Sequence, residues 1–313
     1  MGHVHWLTGA APAFDRAVVG WLQSHGVEVR PRSGLPRPPL VLPFLSRVGR
    51  IRAYCRRLRC GCAPLVLVLP YLAGDGLRLL LAGLPGARTP GVALGSDVLR
   101  RRASLAAERA FRSALRRYDA IWCVSAALAH ELSWCGWSAD WVAPVGVDLE
   151  ALPALDPARR EPGRIFSARR EGPVYRRDWV REAAASIPNS TLVQPQIWTE
   201  LRMMDEYQRA HVVVSVPASD GAPATVEEAL CCGAHVVGSG GATVRQWLDI
   251  YGGTYGEPDS AAGVSELIRR GMQSTEGETE LTRAARAASA RKAFSRDQCL
   301  RPLLAWVSAV SAP

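Results

Sequence analysis

Lysine is almost missing from this sequence. It occurs once, at Lys292, and arginine supplies the rest of the 38 basic residues. Chemistry that runs through a Schiff-base lysine, as in enzymes with a pyridoxal cofactor, would depend on that one residue in a late polar stretch. Long apolar runs are missing too. No stretch of about 18 uncharged apolar residues occurs, so no transmembrane helix is expected. The N-terminus opens on HVHWL without a basic segment followed by a long apolar one, so no secretory signal is expected. A cytoplasmic location, at most peripheral on a membrane, follows as the expectation. Regular cysteine spacing is the third absence. Cys55, Cys60, Cys62, Cys123, Cys135, Cys231, Cys232 and Cys299 show no repeat, and several lie inside apolar runs such as AIWCVS. A chain of this size needs no disulfide framework, so reduced and mostly buried thiols are expected. Cys60-Gly-Cys62 with Cys55 has no histidine or further cysteine pair beside it, so no metal site is expected.

What is present is an ordinary globular composition, 48% hydrophobic and 21% charged over 313 residues, a length that suits two domains. The net charge of +9 suits an anionic partner: membrane lipid, nucleic acid or a phosphorylated substrate. Segment 44–59 concentrates that charge. Leu45, Val48, Ile51, Tyr54 and Leu58 recur at helical spacing among Arg47, Arg50, Arg52, Arg56, Arg57 and Arg59. Such a helix packs on a sheet, or attaches to an anionic membrane surface or a nucleic acid.

Along the chain, short apolar runs alternate with amphipathic stretches. Strands are expected at 3–7, 27–30, 64–70, 90–94, 119–125 and 140–143, with helices between them. Three prolines within 149–162, at Pro153, Pro157 and Pro162, interrupt the pattern. It then resumes with strands at 164–168, 191–194, near 211–216, near 235–239 and at 252–255. Two successive sets of alternating strands and helices predict an α/β protein: two Rossmann-like, doubly wound parallel-sheet domains facing a cleft. The expected bounds are 1–150 for the first domain, 151–162 for a linker and 163–295 for the second domain. Residues 296–313 are expected as a helix packing back on the first.

The densest chemistry lies in HVVVSVPASDGAPATVEEALCCGAHVVGS, residues 211–239. It reads as a buried strand, a small-residue loop opening with Asp220, a helix carrying Glu227 and Glu228, and a second buried strand. An ionised carboxylate only accepts hydrogen bonds and can take both O–H groups of a vicinal diol. The expected role of Glu228 is therefore to bind a hydroxyl-rich ligand, whereas Glu227 is expected to face solvent. Backbone amides of Asp220, Gly221 and Ala222, ahead of the helix N-terminus, are placed to face an anion. Pro223 and Thr225 complete the candidate contacts. In the first half, Gly95-Ser96-Asp97 follows a strand. Asp97 or Ser96 caps the next helix or contacts a substrate at the strand's carboxyl end, and Tyr71 stands after strand 64–70.

These segments, taken in order, resemble the retaining group 1 glycosyltransferases, often called family four, of the GT-B fold. Gly95-Ser96-Asp97-Val98-Leu99 is similar to the family's GSDVL segment. Tyr118-Asp119 to Ser125, with Val145-Gly146-Val147-Asp148, is similar to its "aD…S…GvD" segment. Ser167-Ala168-Arg169-Arg170 with Tyr175 resembles its arginine motif, and Ser219-Asp220-Gly221-Ala222-Pro223 to Gly233 its "SDGtP…EAmacG" stretch. Gly252 to Pro258 is similar to the "gGllv.p" segment. The resemblance implies a UDP-, GDP- or other nucleoside-diphosphate sugar as co-substrate, with no cofactor and no metal. It implies that Arg169 binds the diphosphate, Asp220 lies near the sugar and Glu228 holds the ribose hydroxyls. Asp220 stands where glutamate is commoner. The family's lysine after the arginine is absent, and Arg176 stands near its place. Arg245 and Gln246 occupy a region where the family often carries an acid. The family's acceptor-side histidine is absent as well, with Tyr71 and Asp75 in that region. This leaves a second reading open: a protein of the same fold that binds a sugar nucleotide, or acts as a scaffold, without transferring.

Overall fold

A computed structural model describes residues 4–7, 12–32, 65–70, 87–94, 98, 105–169, 171–195 and 199–311. They form two compact units, Met1–Val145 with Leu300–Pro313 and Gly146–Cys299.

In the first unit the described strands are β1 (Val4–Leu7), β2 (Val29–Arg32), β3 (Leu65–Pro70), β4 (Ala87–Arg88), β5 (Pro90–Ala93), β6 (Ala120–Cys123) and β7 (Trp141–Val142). They make one sheet in the order β2-β1-β3-β5-β6-β7, with β4 beside β3, and the pairings among these described strands are parallel. Helices α1 (Pro12–Ser24), α2 (Leu105–Leu115) and α3 (Ala126–Ser133) belong to the same unit. Residues of β5 and β6 are buried throughout, as strands covered on both faces must be. Polar side chains tie the strand ends. Asp119 accepts from the Thr89 amide at 2.7 Å and Asp140 from the Ile121 amide at 2.7 Å. Ser125 caps α3, its hydroxyl oxygen accepting from the Leu128 amide.

The second unit holds β8 (Arg164–Phe166), β9 (Thr191–Val193), β10 (Val212–Ser215), β11 (Val236–Gly238) and β12 (Gly253–Tyr255) in the order β12-β11-β10-β8-β9, again all parallel. Its helices are α4 (Arg177–Ala185), α5 (Glu200–Arg209), α6 (Ala224–Cys231), α7 (Ala242–Tyr251), α8 (Ala261–Ser274) and α9 (Glu280–Ala293). The final helix, α10 (Arg296–Ser311), starts in this unit and contributes its residues from Leu300 onward to the first. Two cores cover the two faces of the sheet. One gathers Phe166, Val213, Val226, Leu230, Val236 and Trp247 from β8, β10, α6, β11 and α7. The other gathers Ile165, Val180, Val212, Val214, Val264 and Ile268 from β8, α4, β10 and α8. The alternation along Val212, Val213 and Val214 between the two cores is the period-two geometry of a strand. Each such side chain contributes about 1.5–3 kcal/mol when fully buried.

Numbered along the chain, the five strands run in the order 2-1-3-4-5. The chain therefore reverses direction across the sheet between β8 and β10, and ligands of open α/β sheets bind outside the carboxyl ends of strands at such a point.

Residues 151–162, expected as a linker, belong to the second unit, and the passage between units falls at Val145–Gly146. The prolines there shape irregular backbone, which nonetheless packs. Arg159 pairs with Asp205 at 2.6 Å and Arg160 with Glu278 at 2.6 Å. The basic segment 44–59 and Cys55, Cys60 and Cys62 lie outside the described residues. The other five cysteines are buried. Among the described residues no helix is long and apolar enough to cross a membrane.

Candidate functional site

The loops that leave β8, β10 and β11 at their carboxyl ends are fastened to one another. The Ala218 amide donates to Val174 O at 2.8 Å, and the Asp220 amide donates to Gly240 O at 2.9 Å. The Ser239 hydroxyl donates to Pro217 O at 2.9 Å. Gly240 has φ +98°, and a Cβ there would stand 2.9 Å from Pro217 Cγ and 3.0 Å from Pro217 O. Only glycine permits both that backbone and that approach.

Arg169, just beyond β8, is 9% exposed and reaches across the switch point. Its Nε and Nη2 both donate to Ser215 Oγ, at 2.9 and 2.8 Å, and its Nη1 lies 3.0 Å from Asp220 Oδ2. Its guanidinium carbon stands 5.5 Å from the centre of the Tyr175 ring. The ends of two strands thus hold one buried cation by both edges of its fork.

Helix α6 begins behind this pair. Pro223 occupies its N-cap and supplies no side-chain cap. The first-turn amides of such a helix lack intrahelical acceptors and carry the positive end of its dipole. Thr225, in that turn, has a buried hydroxyl with no hydrogen-bond partner among the described residues. Glu228 is half-buried one turn further on and accepts from the Tyr207 hydroxyl at 3.1 Å. Burial, and then the Glu228 carboxylate, hold the Tyr207 phenol well above its ordinary pKa, so it stays a donor.

Glu227 corrects the expectation of a solvent-facing residue. It is 2% exposed, and its Oε2 accepts from the Gly146 amide at 3.2 Å. Burial, reinforced by Glu228, pushes its carboxyl up to about 8. Helix α6 is only eight residues long and is covered on most of its circumference, with Val226, Glu227, Ala229, Leu230 and Cys231 all buried.

Arg176 has the left-handed conformation, φ 49°, at the start of α4. Its Nη1 donates to Pro258 O at 3.0 Å, and its guanidinium carbon stacks 4.6 Å from the centre of a Trp179 ring. Gly221 is buried and Ala222 half-buried beside Asp220. Ser96, Asp97 and Tyr71 lie outside the described residues. Ser215 and Tyr207 were not singled out from the sequence. For Ser215 a signal existed, a small polar residue closing the apolar run HVVVS. For Tyr207, one position on an amphipathic helix, there was none. Among the described residues no cluster of three or more His, Cys, Asp or Glu side chains is placed to hold a metal ion.

No protein-family model matches this sequence, and no curated protein matches it at the level of sequence. Solved structures match it by shape. HepE of Anabaena, in a structure with UDP and glucose, superposes with a TM-score of 0.74 at 12% identity, over 99% of this chain and 100% of that one. Sucrose-phosphate synthase of Thermosynechococcus elongatus gives 0.74 at 13%, over 99% and 100%. A glycosyltransferase of Rickettsia africae gives 0.69 at 12%, over 99% and 98%. The fold is therefore α/β of the GT-B class, with Rossmann-like parallel-sheet units.

Proposed function

We propose that the chain is a retaining, metal-independent glycosyltransferase that moves a sugar from a nucleoside-diphosphate sugar to a hydroxyl acceptor. The observation that carries this reading is the buried Arg169, held between Ser215 and Asp220 at the switch point and followed by Glu228 on the next helix. The neighbouring folds crystallised with UDP and UDP-glucose support it. In the proposed reaction Ser215 keeps hold of the Nε–Nη2 edge of Arg169. The Nη1 edge exchanges Asp220 for diphosphate oxygens and stabilises the departing nucleoside diphosphate. Asp220, released, accepts from sugar hydroxyls. Glu228 accepts from the ribose diol with one oxygen steadied by Tyr207. The acceptor oxygen bonds to the anomeric carbon on the face from which the phosphate oxygen leaves and passes its proton to that departing oxygen, so configuration is retained. Gly221, Ala222, Pro223 and Thr225 line the donor, and Arg176 contributes a second positive charge. Asp97 joins Arg169 and Asp220 as a catalytic residue, and Ser96 and Tyr71 serve the acceptor side.

A thermal-shift panel of nucleoside diphosphates and their sugars tests the donor assignment. A rise in melting temperature is expected with one base above the others, and Glu228→Ala is expected to abolish it. Undiminished binding by that variant would remove Glu228 from the site. Donor binding without product from a broad acceptor panel would favour a non-transferring binding protein of the same fold.

We further propose an anionic acceptor: a lipid-linked saccharide, a nucleic acid or a phosphorylated metabolite. The six arginines of segment 44–59 motivate this. Replacing them by glutamine should weaken acceptor turnover most at low salt, where exposed charges are least screened. Turnover unchanged across salt concentrations would refute it.

A further inference from the structure

Arg245 is the residue the donor site leaves unexplained. It lies on α7, whose Val244, Trp247 and Leu248 pack into one core of the second unit. Its guanidinium carbon sits 4.5 Å from the centre of the Tyr255 ring on β12, the edge strand of the sheet. Helix α8 belongs to the opposite core, through Val264, Leu267 and Ile268, and brings Arg270 and Ser274 to the same edge. Helices from the two faces therefore meet beyond the end of the sheet. Between them lies a pocket of about 400 Å³ lined by Arg245, Asp249, Thr254, Tyr255, Arg270 and Ser274, with Gly253 in its floor.

The charges of this pocket are unspent. Among the described residues, Arg245, Arg270 and Asp249 have neither an ion pair nor a side-chain hydrogen bond. Elsewhere in the second unit arginines are engaged: Arg160 and Arg286 with Glu278, Arg164 with Glu206, Arg209 with Glu161 and Arg296 with Asp148. Arg245 and Asp249 stand four residues apart on one helix, a spacing at which opposite charges commonly pair, yet they do not. The Ser274 hydroxyl donates to Arg270 O at 2.8 Å, which leaves its oxygen free to accept. The Thr254 hydroxyl is already paired with His235 Nε2 at 2.9 Å.

We propose that this pocket is a second ligand site, separate from the nucleotide site, for a small phosphorylated sugar or polyol. The chemistry divides between the two ends of such a molecule. Guanidinium forks from α7 and α8 close on different edges of one phosphate, the group their planar donors fit best. Asp249, an acceptor only, takes the hydroxyls of the carbon skeleton, and the aromatic face that stacks Arg245 keeps its fork oriented. A bare anion satisfies only the first half of the set, and an uncharged sugar only the second. The volume suits a ligand of monosaccharide size, near the lower end of small-molecule sites.

Calorimetric titration of the full chain with glucose 6-phosphate, glucose and inorganic phosphate, each with and without saturating UDP, tests this. The expected order is glucose 6-phosphate tightest, with affinity unchanged by UDP. Arg245→Gln together with Arg270→Gln should weaken glucose 6-phosphate by roughly tenfold or more, since two exposed charge pairs are lost. Asp249→Asn should bring glucose 6-phosphate close to inorganic phosphate. None of these substitutions should alter the melting temperature or the response to UDP. Competition by UDP, binding that survives the double substitution, or the absence of glucose 6-phosphate binding would each overturn the proposal.

Discussion

At the scale of single residues, the second unit uses burial to give neighbouring carboxylates different properties. Glu228 stays half-exposed beside Tyr207, whereas Glu227, one residue earlier, is enclosed and bonded to the Gly146 amide. The charges acting on Glu227 come from Glu228 on its own helix, Asp220 from the loop after β10, and Arg296 at the start of α10, itself 3.3 Å from Asp148. Burial dominates them and raises its pKa to about 8, above the ordinary carboxyl value of about 4.3. Between those values the folded protein holds a proton that the unfolded chain has released. Stability should therefore fall as pH rises from about 4.3 through about 8, then level off. Glu227→Gln keeps an oxygen for the Gly146 amide and removes the titration. Its denaturation midpoint should lack this decline, leaving it more stable than the parent by ~2–4 kcal/mol above pH 8. Parallel midpoint-against-pH curves for the two proteins would show that Glu227 ionises normally. The sequence could not foresee this, because both flanks of a two-turn helix read as apolar and no single polar face marks Glu227 as outward or inward. Arg169 and Asp220 were legible as the ends of two strands. That Ser215 would take two of the arginine's donors was not, because it depends on the lateral order of β8 and β10.

At the scale of elements, the strands and helices with a clear period were legible to within a few residues. Those that failed had too little pattern: β4 has only two residues, and the proline-rich stretch 151–162 concealed a packed segment. Close approach of elements is also silent in a single sequence. Gly271 lies inside α8, where alanine would ordinarily be better by about 1 kcal/mol. Yet a Cβ there would stand 2.4 Å from Val237 Cγ2 on β11, with Val212 Cγ1 at 3.6 Å and His235 Cδ2 at 3.7 Å. Val237 is fully buried and β-branched, so it has no rotamer into which to retreat. Overpacking of this kind costs about 1–3 kcal/mol and outweighs the helix propensity. Gly271→Ala is expected to lower the melting temperature by about 2–4 °C for each kcal/mol lost. A variant as stable as the parent would mean that α8 can lift from the sheet at no cost.

At the scale of the whole molecule, the chain crosses between its units twice, and the return crossing falls inside a helix, just after the first turn of α10. Residues 296–299 of α10 belong to the second unit. There the bridge between Val147 and Ser295 and the amide of Arg296, donating to Val147 O at 3.0 Å, set the two crossings side by side. From Leu300 onward the same helix builds the first unit. Leu300, Leu303 and Val307 are buried, and the Trp306 ring lies 6.4 Å from that of Trp141. A core substitution in this half should therefore act on one unit and spare the other. Leu303→Ala removes a fully buried side chain and should cost the first unit about 2–5 kcal/mol. Arg169, Asp220 and Glu228 all lie in the second unit. The variant should consequently unfold earlier, as read by the fluorescence of Trp122, Trp141 and Trp306, while its response to nucleoside diphosphate stays that of the parent. If nucleotide binding were lost in proportion to the stability of the first unit, the donor site would depend on residues beyond Gly146–Cys299, and its assignment to the second unit alone would be wrong.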